Sequence, residues 1–133
     1  MTERALEGVK DLEAMIAGFE KAMEKMRTKP PEFPSDIHFW ECVKRQYERT
    51  HEANLSGKPI VLSGMFVPSE IYHAMDIPCL FAEYNSSMMA GRGNYFQYMD
   101  IAEGHGISNE ICSPHRVAIG LAKSKMLPRP SFI

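Results

Sequence analysis

Cysteine is scarce in this chain and long apolar runs are missing, and these two deficits already remove several function classes. The three cysteines, Cys42, Cys79 and Cys112, form no CxxC pair. That excludes a zinc ribbon and, with no export signal in the sequence, favours reduced thiols in the cytoplasm over a disulfide framework. No stretch reaches the length of uninterrupted apolar residues that a bilayer span requires, and the N-terminus, with Glu3, Arg4, Glu7 and Asp11, lacks the basic and apolar regions of a signal peptide. The formal charge of −2 leaves no excess of Lys and Arg for a phosphate-binding surface, so nucleic acid is not an expected partner. No internal repeat or low-complexity tract is visible. What remains is 133 residues, 44% hydrophobic and 24% charged, the composition of a soluble cytoplasmic protein with one core.

Apolar residues recur at Val9, Leu12, Ile16, Phe19, Met23 and Met26, one stripe of a helix with charged residues around it. The run from Thr28 to Pro34 holds three prolines and must stop that helix. Ser35 or Asp36 can cap a second helix, in which Ile37, Trp40, Val43 and Tyr47 share a side. Residues 1–56 therefore read as a helical hairpin whose Met and aromatic stripe is packing surface.

The pattern changes at the turn cluster Ser56-Gly57-Lys58-Pro59. Ile60-Val61-Leu62 has the length and composition of a buried strand, Pro68-Ser69-Glu70 opens a helix through Ile71, Ala74 and Met75, and Cys79-Leu80-Phe81-Ala82 is a second apolar run. Strand, helix, strand over so short a span implies a parallel pair joined by a right-handed crossover. A polar loop is expected from Asn85 to Gly93, a helix near Tyr95 to Ala102, and another through Val117, Ile119, Leu121 and Ala122. Ser131-Phe132-Ile133 reads as the opening of a third strand, so residues 57–133 are expected to be the first part of an α/β lobe, Rossmann-like or flavodoxin-like, within a longer subunit.

Open parallel sheets take ligands beyond the carboxyl ends of their strands. Three loops should meet there: Ser63 to Glu70, Glu83 to Gly93, and His105 to Cys112. Ser63 with the amides of Gly64 and Met65 suits a carbonyl or phosphate oxygen. Glu83, just past an apolar strand, is placed to hold or relay a proton. Cys112 precedes Ser113-Pro114, a helix-opening pair, so its sulfur should lie by the positive end of a helix dipole, an environment that suits a thiolate. Three uses stay open: a nucleophile assisted by His105 or His115, a zinc ligand with His105, His115 and Glu110, or one thiolate of an iron–sulfur cluster. Cys42 in the hairpin and Cys79 at the start of a strand are poorly placed as second ligands.

Several runs carry a family resemblance: Gly57-Lys58-Pro59-Ile60-Val61, Phe66-Val67-Pro68-Ser69-Glu70-Ile71, Asp100 through Cys112, and Arg116 through Leu121 leading to Pro128-Arg129-Pro130. Together they resemble the first α/β lobe of the 2-hydroxyacyl-CoA dehydratases and ATP-dependent benzoyl-CoA reductases, and the Glu-x-Cys run looks closer to the reductase branch. The resemblance implies a [4Fe-4S] cluster with Cys112 as its first thiolate and the other ligands outside this chain. It also implies an acyl-CoA substrate, a homologous partner subunit, and an ATP-dependent activator that delivers a low-potential electron. Ser63 and Glu83 would lie on the substrate side as catalytic residues. The expected function is thus a portion of an iron–sulfur subunit, not active alone. The alternatives are a cluster-free structural partner subunit and an independent cysteine enzyme.

Overall fold

A computed structural model describes residues 8–133. Helix α1 spans Val9–Thr28 and buries Leu12, Met15, Phe19 and Met23, the expected stripe widened by Met15. It ends where the prolines begin. Helix α2 spans Ser35–Ser56 and packs back along α1. Neither Ser35 nor Asp36 caps it; Pro34 holds the N-cap position and no side chain bonds the first turn. Phe19 anchors the hairpin, its ring 5.7 Å from Trp40 and 5.2 Å from Tyr47, within the range of favourable aromatic pairs. Gly57, at φ 73°, turns the chain out of α2, and the Lys58 amide donates to Ala53 O at 2.9 Å.

Strand β1 (Val61–Ser63) pairs in parallel with β2 (Cys79–Phe81), Leu62 opposite Leu80. The connecting helix α3 (Glu70–Ala74) falls where the sequence places it, but it buries none of its residues. Phe132 bridges to Val61 in parallel, and Leu62 N donates to Phe132 O at 3.1 Å. The stretch read as an opening third strand therefore lies beside β1, which is central. The architecture is α/β: helices around a small parallel sheet.

The expected polar loop after β2 is instead helix α4, Ala82–Gly91. Its polar residues are satisfied along the helix. Asn85 Nδ2 donates to Phe81 O at 2.8 Å, and Ser87 Oγ donates to Glu83 O at 2.9 Å. Helices α5 (Phe96–Gly104) and α6 (Ser113–Lys123) follow, packed closely on one another. One core unites the two halves: Leu12, Met15, Phe19 and Tyr47 of the hairpin meet Leu80, Met89, Val117 and Leu121. Each fully buried leucine there contributes about 1.5–3 kcal/mol. No described helix is long and apolar enough to cross a membrane.

Candidate functional site

Cys112 is the N-cap of α6, exposed, with extended backbone (φ −55°, ψ 141°) and Pro114 in the first turn. The turn closes on Cys112 itself, whose carbonyl accepts the amides of His115 at 3.1 Å and Arg116 at 3.2 Å. Three residues along, on the same side of the turn, His115 brings Nδ1 to 2.5 Å from Cys112 Sγ. His115 Nε2 lies 3.7 Å from Glu83 Oε1. The second Glu83 oxygen accepts the Met65 amide at 3.2 Å.

A continuous line therefore runs from the loop after β1, through the carboxylate after β2, to the thiol at the head of α6. This is the convergence expected beyond the strand ends. Ser86 sets its geometry. Buried one turn after Glu83, its hydroxyl donates to Pro114 O at 2.6 Å and pins α4 to the first turn of α6. Arg116, two residues further along α6, is buried and ion-pairs with Glu103 at the end of α5, tying α6 to that helix as well. Gly64 leaves room for the carboxylate, since a Cβ there would sit 3.3 Å from Glu83 Oε1.

The other candidates separate. Ser63 is buried, its hydroxyl directed to Gly64 O at 3.3 Å and to the Cys79 thiol, so it supports the strand end and does not join the Cys112 line. His105 turns back on its own helix, Nδ1 2.8 Å from Ile101 O, which leaves His115 as the imidazole at Cys112. No group of three His, Cys, Asp or Glu able to hold a metal ion occurs among the described residues, so the zinc set is not assembled.

Cys79 is 0% exposed, and burial pushes its thiol up from the ordinary value, the Ser63 hydroxyl opposing. It lines, with Cys42, an apolar cavity of about 300 Å³ between α2 and β2, where Gln46 Nε2 donates to Cys79 O at 2.6 Å. Neither thiol belongs to the Cys112 site. Cys42 is exposed as well but lies on α2, so at the Cys112 site this chain offers one exposed cysteine sulfur, which fits a metal cluster at one corner only. The Cys112–His115 pairing follows the C-x-x-H spacing read in the sequence, whereas the contact of His115 with Glu83 was not anticipated there.

Comparison with known proteins adds relatives to this geometry. The chain is 24% identical over 98 residues to the (R)-2-hydroxyisocaproyl-CoA dehydratase alpha subunit of Clostridioides difficile, covering 70% of this chain and 24% of the relative. It is 28% identical over 87 residues to the (R)-phenyllactyl-CoA dehydratase alpha subunit of Clostridium sporogenes, covering 62% of this chain and 21% of the relative. Over these stretches the chain is similar to dehydratase alpha subunits that act on 2-hydroxyacyl-CoA thioesters. It spans about a quarter of the length of these two proteins. Both are dehydratase subunits, and neither is a benzoyl-CoA reductase. No family model matches the chain, and no solved structure matches it either.

Proposed function

We propose that this chain supplies one wall of the active site of a 2-hydroxyacyl-CoA dehydratase, acting with a partner subunit and an ATP-dependent electron donor. The observation that carries the reading is the exposed Cys112 sulfur at the head of α6, in line with Glu83 beyond the strand ends of a chain whose relatives are dehydratase subunits. Cys112 would hold one corner of a [4Fe-4S] cluster whose remaining thiolates come from elsewhere. Such a cluster, when bound, supplies one-electron chemistry to the acyl thioester.

This chain's own residues have narrower tasks. Cys112 gives a sulfur ligand at the positive end of a helix dipole, which offsets the negative charge of thiolates. Glu83, held by the Met65 amide and facing His115, takes or returns a proton at the substrate. Ser63 stiffens the end of β1. Substrates with apolar acyl groups, such as those in the names of the two relatives, follow from this reading.

The test is anaerobic dehydration of 2-hydroxy-4-methylpentanoyl-CoA by the complete enzyme with its partner subunit and activator. Turnover by the wild type and loss of turnover in Cys112→Ser are expected. Full turnover in the variant would overturn the assignment. Assembly of an iron-free but intact complex would instead favour the structural-partner role.

A second reading has one specific observation behind it, the contact of Cys112 Sγ with His115 Nδ1. Thiol, imidazole and carboxylate in a line form the arrangement of a cysteine nucleophile. Cys112 would attack a thioester carbonyl, and the departing CoA thiolate would take the proton from His115. Its signature is an acyl-enzyme adduct on Cys112 in intact-protein mass spectra, absent in His115→Ala.

A further inference from the structure

Large apolar side chains are displayed along the connection from β1 to α3 in a way the fold does not use. Val67 N donates to Gly64 O at 3.2 Å and closes a tight turn around Met65 and Phe66. Phe66 is 94% exposed and Met65 60%, and Ile71 and Met75 of the following helix are exposed as well. Each such side chain left in water forgoes the stabilisation that burial would bring. An ordered turn that holds a phenyl ring in solvent points to a ligand surface, since soluble proteins rarely expose contiguous apolar patches without one.

The turn is fastened to the site already described. The Met65 amide donates to Glu83 Oε2, and Gly64 lies against Glu83 Oε1. The apolar turn and the Cys112–His115–Glu83 line therefore share one carboxylate. Ligand pockets combine these two ingredients: an apolar wall and a few convergent polar groups.

We propose that Met65, Phe66 and Val67 are the wall that receives the apolar side chain of the acyl group, and that they select branched or aromatic acyl thioesters over short ones. This rests on the function proposed above. With the thioester end toward Cys112 and the 2-hydroxy carbon near Glu83, the acyl side chain extends onto the Phe66 ring. The turn is held by backbone hydrogen bonds, so its side chains can change without disturbing Glu83.

The experiment uses the assembled enzyme and compares kcat/KM for 2-hydroxy-4-methylpentanoyl-CoA and 2-hydroxypropanoyl-CoA in wild type, Phe66→Ala and Phe66→Leu. Phe66→Ala is expected to lose about tenfold or more on the branched substrate and less than about twofold on the short one, with Phe66→Leu between. Equal losses on both substrates, or none, in an enzyme whose wild type is active would overturn this inference alone. A wild type that dehydrates neither compound would overturn the proposed function and this inference with it. Release of the partner subunit by Phe66→Ala, seen by size-exclusion chromatography, would also overturn it and make the turn a subunit contact.

Discussion

At the scale of single residues, the polar groups that matter are those with a partner on another element. Tyr47 is one: its hydroxyl donates to Asn85 Oδ1 at 2.6 Å inside the core, and burial pushes it well above the ordinary 10.0. In the unfolded chain the phenol ionises near that ordinary value, while the folded state keeps its proton. Stability is therefore complete below about pH 10 and falls as the pH rises further, because the folded state binds the extra proton. Urea midpoints at about pH 9 and about pH 11 should show this fall, and Tyr47→Phe should flatten it. The same variant should cost about 1–3 kcal/mol at neutral pH, since Asn85 Oδ1 loses its donor. Glu83→Gln keeps an acceptor for the Met65 amide but removes the charge facing His115. In the assembled enzyme it is expected to lower kcat by about 10²-fold or more while leaving thermal unfolding nearly unchanged. The identities of Cys112 and Glu83 as candidates were legible in the sequence, because both sit at recognisable element ends. His115 was legible as an imidazole beside Cys112, but its link to Glu83 was not, because that depends on two helices meeting.

At the scale of elements, the amphipathic helices were plain in the sequence and α4 was not. Apolar spacing announces α1 and α6, whereas Asn85, Ser86 and Ser87 look like loop residues until their side chains are seen bonding backbone oxygens. Ser86 also ties α4 to Pro114. Ser86→Ala should cost about 1–3 kcal/mol by leaving the Pro114 carbonyl without its buried donor, readable as a lowered urea midpoint. The packing of α5 on α6 is tighter still. A Cβ on Gly120 would fall 1.9 Å from Tyr98 O, so backbone approaches backbone where only hydrogen fits. Gly120→Ala is expected to destabilise the protein by about 3 kcal/mol, at the upper end of overpacking costs, measured by chemical denaturation. A Gly120→Ala variant with unchanged stability would show that the two helices separate easily.

At the scale of the whole molecule, the hairpin and the α/β region share one core, so the change of pattern at Ser56-Gly57 marks a change of architecture and not a break in packing. Around that core the strand ends gather a thiol, an imidazole, a carboxylate and an apolar turn, drawn from three separate connections. Their convergence follows from the parallel pairing of β1 with β2, which was readable from strand composition and the short span between the strands. The exposure of α3 was not readable, because Ile71 and Met75 mimic a buried helical face.

The central claim is that Cys112 holds a metal cluster at this convergence. Iron and acid-labile sulfide, measured on the complete enzyme purified without oxygen, test it most directly, with Cys42→Ser as a control for a thiol outside the site. Cys112→Ser is expected to lose the cluster's iron and sulfide while its circular dichroism stays that of the wild type, and Cys42→Ser to keep both. Full iron and sulfide in Cys112→Ser would contradict the assignment.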